Sequence, residues 1–264
     1  MIRGTGDRGN TNGRRAGIGL LSPLIVPISG GPQAPGAASG RLAHAAGAAR
    51  RSRAVQVLMT KVHQHLVSAA RLAGLTGWRR LAVAALAGVV SVLALPPIHV
   101  VPVLFVTLPM VLWLLDGAAT RRAAFAVGWA FGFGFFVAGL YWIGNALLVD
   151  AARFGWMIPF AVGGLSAALA VYVGLVTLAV QWLDPRRGWP RVMVFAAAWT
   201  LGEMLRGWAL TGFPWNPIGT VWMPLDAMIQ SVAWVGVYGL GLLTVAVAAM
   251  PAVLGWDRAT WRAP

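Results

Sequence analysis

The sequence predicts an all-α fold, a polytopic transmembrane helix bundle of about six spans, and three observations carry that prediction. The mean hydropathy is +0.72, with 58% of the 264 residues apolar and only 11% charged, whereas a soluble surface is roughly a quarter to a third charged. From residue 78 onward long apolar runs recur, many of them near the ~20 residues a helix needs to cross a hydrocarbon core ~30 Å thick. The basic residues gather on alternate connections between those runs, as the positive-inside rule requires of a multi-pass chain.

Residues 1–58 are rich in Gly, Ala, Arg, Ser and Pro without a helical or strand period, so they lack the apolar surface that would offset the entropy of ordering. They read as a disordered basic extension. Within them 14–30 pairs arginines with an apolar run, as an export signal does, but two prolines interrupt it and no cleavage site follows promptly. Met59 is an alternative start, which would make the first 58 residues an over-extended reading frame. Residues 59–79 then form a cytoplasmic juxtamembrane segment.

Residues 80–256 form the bundle, with apolar segments at about 80–95, 98–115, 123–149, 155–183, 192–210 and 227–255, each ended by charge, proline or glycine. The first two are short and separated only by "PPIH" (96–99), which predicts a tight hairpin. The third and fourth exceed a perpendicular crossing and are expected to tilt. Glycines punctuate the third, fourth and sixth segments, a pattern that lets helix backbones approach closely in lipid; packing within one bundle is expected, with a homodimer through Gly128-x-x-x-Gly132 as the alternative. Residues 257–264 read as a cytoplasmic tail cut before a seventh span.

Orientation follows from the cations. With the N-terminus inside, nineteen of the 21 Lys and Arg residues fall on the cytoplasmic side and only Arg153 and Arg206 on the other. Both termini are then cytoplasmic, and the connection after residue 205 faces outward. The net charge of +14 reflects this topology and contact with anionic lipid rather than nucleic-acid binding. Zero cysteines exclude disulfides, thiolate metal sites and a cysteine nucleophile within this chain, and the four histidines (44, 63, 65, 99) form no ligand pattern. No phosphate loop or cofactor motif appears, so neither a metal nor a cofactor is indicated. Asp116, Asp150, Asp184 and Asp226 fall at span ends, where hydration is expected to make them cheap.

The outward connection contains "LRGWALTGFPWNPIG" (205–219), with Glu203 just upstream. Glu203 and Arg206 are three apart, on one helical face and within pairing reach. Burying either alone would cost roughly 2.5–3.5 kcal/mol at mid-depth, so pairing or a polar cavity is expected. Gly212 and Pro214 stop the helix, while Trp208, Trp215 and Trp222 suit the headgroup level. Two readings stay open on physical grounds: a capped helix end within an aromatic belt, or a guanidinium, the Asn216 amide and indoles lining an entrance for a lipid headgroup or lipopeptide. Tyr141 and Trp142, at the outer end of the third segment, read as an interfacial anchor whose end could also line an acyl groove.

The string "GEMLRGWALTGFPWNPIG" (202–219) resembles the signature of bacterial apolipoprotein N-acyltransferases, in which Glu-x-x-Arg-Gly-Trp runs into Thr-Gly-Phe-Pro-Trp. "GWAFGFGFFVAGLYWIGNAL" (128–147) is similar to that family's glycine-aromatic third span, and "LAGVVSVLALPPIHVVPVLFVTLPMVLWLL" (86–115) to its opening hairpin; "GVYGLGLLTVAVAA" (236–249) is a looser match. The resemblance covers about residues 80–256.

That resemblance implies a bacterial inner-membrane protein, a phospholipid acyl donor and an acceptor amine on the diacylglyceryl-cysteine that opens a lipoprotein. It also implies an eight-span bundle joined to a nitrilase-like domain with a Glu, Lys and Cys triad, acting by ping-pong covalent catalysis. None of that triad can be placed on this sequence, so no catalytic residue is assigned, the nitrilase-like domain is expected in cis or in trans, and the chain alone is expected to be inactive. The resemblance points to Glu203, Arg206, Trp208, Phe213, Pro214, Trp215, Asn216, Tyr141 and Trp142 as lipid-binding candidates. A small-solute or ion transporter using Glu203, Arg206 and Asp226, or a non-catalytic membrane scaffold, is the alternative.

Overall fold

The computed structural model describes residues 69–209 and 212–256. The expected extension at 1–58, residues 59–68 of the juxtamembrane segment and the tail at 257–264 lie outside the described residues. Six long helices follow a helical turn at 69–73: α1 (Gly77–Ser91), α2 (Leu104–Asp116), α3 (Arg121–Leu140), α4 (Ile158–Leu183), α5 (Trp189–Trp208) and α6 (Asp226–Ala249). No strand occurs among the described residues.

Each predicted segment overlaps one of these helices, of which α1, α3, α5 and α6 start one to three residues earlier than predicted and α2 and α4 later, and the ends follow local chemistry. Thr120 caps α3 by accepting from the Ala123 N–H at 3.1 Å, and prolines occupy the first turns of α4 and α5, where no intrahelical donor is lost. The hairpin between α1 and α2 turns through a cis Pro96–Pro97 bond. Three segments are less regular than a single run implies. The third tightens into a 3-10 turn over Tyr141–Leu148, the fourth begins with one over Gly155–Met157, and α6 kinks at Gly236 and ends in another over Met250–Gly255.

Four helical stretches, Gly77–Ala94, Arg121–Leu148, Ala151–Leu183 and Asp226–Gly255, are long and apolar enough to cross a membrane, and Val101–Asp116 is a shorter apolar helix. The remaining helix, α5, is 20 residues long and carries Arg191, Glu203 and Arg206, all buried. Its charge is therefore directed into the protein instead of toward lipid, which is the condition under which such groups are tolerated at membrane depth.

The helices close a ring in the order α1, α3, α4, α5, α6, α2 and back to α1. Backbone proximity makes the tightest seams. Gly88 on α1 lies against the Phe131 carbonyl, and Gly134 on α3 against the Ala85 carbonyl, so a Cβ at either would strike main chain. Between α3 and α4, Gly128 and Gly132 face Thr177, Val173 and Ala170, the Thr177 hydroxyl donates to the Ala124 carbonyl at 2.8 Å, and the Trp129 indole donates to the Ala167 carbonyl at 3.0 Å. The glycine stripe is thus filled by the chain's own α4. Phe131, Phe195 and Trp199 meet edge to face at the centre, where contact dispersion replaces the hydrophobic drive that lipid does not supply.

Candidate functional site at the loop after α5

Helix α5 ends at Trp208, and the chain turns back on itself. Gly212 has φ +85, and a Cβ there would strike the Gly207 carbonyl, so this reversal requires glycine. The Gly212 N–H donates to Ala209 and the Phe213 N–H to Arg206, both at 2.9 Å, which lays Phe213 over the helix end. Asn216 holds φ +55, a left-handed conformation that asparagine tolerates better than most residues. A 3-10 turn over Ile218–Trp222 then leads to α6.

Two buried charges fix that loop. Arg206, 3% exposed, donates from Nη1 to the Phe213 carbonyl at 2.9 Å and also to the Trp215 carbonyl, with its guanidinium 5.2 Å from the centre of the Phe136 ring. Glu203, 7% exposed, accepts from the Ile218 N–H at 2.8 Å. Of the two expectations, pairing or a polar cavity, direct pairing is not seen: among the described residues the ion pairs within 4.0 Å involve Asp116 and Asp184, not Glu203 or Arg206. The two side chains share a face, as their spacing predicts, but each meets backbone. The physical reason is that an irregular loop held against a bundle presents carbonyls and an N–H that need partners away from water, and a charged group is a strong one.

The second carboxylate oxygen of Glu203 and the Trp199 indole nitrogen, one turn apart, are buried without hydrogen-bond partners. Both residues line a cavity of about 20 Å³ with Phe135, Phe136, Tyr172 and Arg206.

The loop is tied to the end of α3. The Asn216 amide donates to the Gly139 carbonyl at 3.1 Å. Trp215 stacks on Trp142 with ring centres 4.8 Å apart and 22° between planes, and Phe213 lies 4.8 Å from Trp215 on the tilt. The structure therefore brings together Glu203, Arg206, Phe213, Trp215, Asn216 and Trp142. Pro214 sits within the same turn, whereas Tyr141 and Trp208 are 68% and 81% exposed and stand outside it.

Sequence reasoning missed Gly139, Ile218 and Phe136 as partners, because two act through backbone and none carries a local signal. It set Trp222 at the headgroup level without foreseeing that its indole donates to Thr244 on α6 at 2.7 Å, and it gave no role to His99, whose Nδ1 lies 3.3 Å from the Val221 carbonyl and ties the α1–α2 hairpin to the 3-10 turn.

At the opposite end of the bundle lies a second charged cluster. Asp116 is only 6% exposed at its side chain, which corrects the expectation of a hydrated span end. Arg191 approaches it at 3.3 Å and Arg187 at 3.6 Å, and the Trp256 indole donates to it. Arg191 also lies 3.9 Å from the exposed Asp184.

The family model for the apolipoprotein N-acyltransferase N-terminal domain matches residues 87–250, which include every residue of the loop clamp. An apolipoprotein N-acyltransferase of Allorhizobium ampelinum is 47% identical over 199 residues, covering 72% of this chain and 38% of that protein. One from Rhodopseudomonas palustris is 47% identical over 183 residues (67% and 34%), and one from Brucella melitensis biotype 1 is 44% identical over 200 (70% and 37%). The chain spans little more than a third of the length of these curated relatives.

Proposed function

From the premise that this chain belongs to the apolipoprotein N-acyltransferase family, through that family's N-terminal domain, we propose that it is the membrane-embedded part of an enzyme that acylates lipoproteins. The acyl donor is a membrane phospholipid and the acceptor is the α-amine of a lipoprotein's diacylglyceryl-cysteine. The chain contains no cysteine, so the thiol that carries the acyl group between donor and acceptor comes from residues outside it, in a nitrilase-like domain in cis or in trans. This chain's part is to admit both amphiphiles from the bilayer and orient them. It lies in the bacterial inner membrane with both ends cytoplasmic, an arrangement supported by the one-sided distribution of its arginines.

The loop after α5 is the rim of that entrance. The supporting observation is that two buried charges hold its backbone, from Phe213 to Ile218, while its aromatic rings stay partly exposed: Trp142 and Trp215 are each 43% exposed and stacked. A rigid backbone with accessible indoles offers an amphipathic platform at headgroup height. An aromatic belt that only anchors the bundle would need neither clamp.

The test places Trp215→Ala and Asn216→Ala in a full-length relative at the matching positions. Acyl transfer falls about tenfold while membrane insertion is unchanged; an unchanged rate returns the loop to an aromatic anchor. This chain alone, in vesicles with phospholipid and a lipopeptide, transfers no acyl group. Solute uptake by such vesicles, abolished by Glu203→Gln, would instead favour a transporter.

A further inference from the structure

A second lipid-facing feature lies along the outside of α4 and α5. An open groove of about 350 Å³ runs between α4 and α5, walled by Leu175 and Leu183 from one helix and Leu201 and Leu205 from the other, with the half-buried Ala179 and Ala198 between them. On α4 it extends from Tyr172 to Leu183, about 16 Å of helix axis. On α5 it extends over a similar length, from Val194 to Leu205, so the slot is about half of a ~30 Å hydrocarbon core long and its far end reaches the last turn of α5.

The groove ends at the arginine-rich end of the bundle. Leu183 is followed by the loop that carries Arg186 and Arg187, both exposed, and Trp182 and Trp189 flank this loop at 65% and 63% exposure. The Gln181 amide reaches the Ala118 carbonyl at 3.4 Å, so the exposed Arg121 and Arg122 at the start of α3 belong to the same end. The acidic groups there are Asp184, which is exposed, and Asp116, which is buried among Arg187, Arg191 and Trp256. Exposed positive charge predominates at the mouth.

We propose that this groove binds an anionic diacyl phospholipid of the leaflet at the arginine-rich end, with an acyl chain along α4 and α5 and the phosphate at Arg186 and Arg187. The two parts of the groove match the two parts of such a molecule: an apolar slot about 16 Å long, and a cationic mouth with indoles beside it. Basic pockets between helices on the cytoplasmic side suit acidic headgroups for the same reason. The far end of the groove adjoins the cavity beneath Glu203 and Arg206 through Tyr172, Val176 and Gly202, but its cationic mouth lies at the other end of the bundle, and the proposal does not depend on the acyl-transfer reading.

The full chain, reconstituted in vesicles containing equal amounts of phosphatidylglycerol and phosphatidylcholine with identical acyl chains, is released into native mass spectrometry. Phosphatidylglycerol is retained about fivefold or more over phosphatidylcholine. Arg186→Gln with Arg187→Gln removes that preference, and Ala198→Trp, which fills the slot, removes retention of both lipids. Equal retention by the unaltered chain, or phosphatidylglycerol retention unaffected by Ala198→Trp, overturns the proposal. A second measurement avoids any folding defect of the filled variant. A fluorophore on Leu201→Cys is quenched more by chain-brominated phosphatidylglycerol than by its phosphatidylcholine counterpart, whereas one on Leu243→Cys of α6 shows no difference. No difference between the lipids at Leu201→Cys would mean that the slot is covered by bulk lipid or by another helix, and the assignment fails.

Discussion

The two ends of the bundle bury charge in opposite ways. At the arginine-rich end Asp116 meets Arg191 and Arg187, side chain to side chain, and the contact joins the end of α2 to the start of α5. At the other end Glu203 and Arg206 make no direct ion pair, although their opposite charges still attract, and each binds the main chain of the loop that follows. The first arrangement locks helices whose positions packing already favours. The second imposes a conformation on a segment with Gly212 and Asn216 in left-handed backbone and too little regular structure to satisfy itself. Charge at one end holds helices together, and at the other it shapes a surface.

The largest effect expected from breaking this contrast belongs to Arg206→Ala. It removes two charge-assisted bonds to backbone and the opposite charge that offsets the buried Glu203, a change of about 3–5 kcal/mol. Thermal unfolding in detergent reads the loss, and amide exchange rises first over 213–218. Asp116→Asn comes next, at about 2 kcal/mol, because Arg191 retains Asp184 nearby and the Trp256 indole retains an acceptor. Here amide exchange rises at the ends of α2 and α5 while the loop stays protected. Equal loop exchange in both variants would erase the distinction between the ends.

Smaller changes sharpen the account of the loop itself. Asn216→Ala loses the bond to Gly139 and places alanine in left-handed backbone, for about 1–2 kcal/mol. Trp142→Ala loses the stack on Trp215, for about 1 kcal/mol, and a double-mutant cycle with Trp215→Ala gives a coupling of that size. Additive effects would mean that the two indoles share a height in the membrane without supporting each other.

Much of the fold was legible because membrane helices advertise themselves through length and uninterrupted apolarity, and α1, α3, α4 and α6 follow that rule. The cluster of unusual residues after α5 was legible as a site for the same reason: polar groups and prolines are conspicuous in an apolar chain. The partners were not. A spacing of three places Glu203 and Arg206 on one face, but whether they meet each other or a returning backbone depends on the path of residues 212–218. Trp142 and Trp215 are distant in sequence, and only the packing of α3 beside the loop brings them into contact. Asp116 shows the same gap, since a position at a helix end suggests hydration until α5 supplies Arg191.

The central claim is that the clamped loop faces the side of the membrane opposite the exposed arginines and is open there to the bilayer surface. The absence of native cysteine allows a direct measurement. Trp215→Cys and Arg186→Cys are introduced singly, and intact cells whose outer barrier has been opened are treated with a membrane-impermeant maleimide. Labelling at position 215 and protection at position 186 until the inner membrane is breached is the predicted result; labelling at 186 with protection at 215 would contradict it.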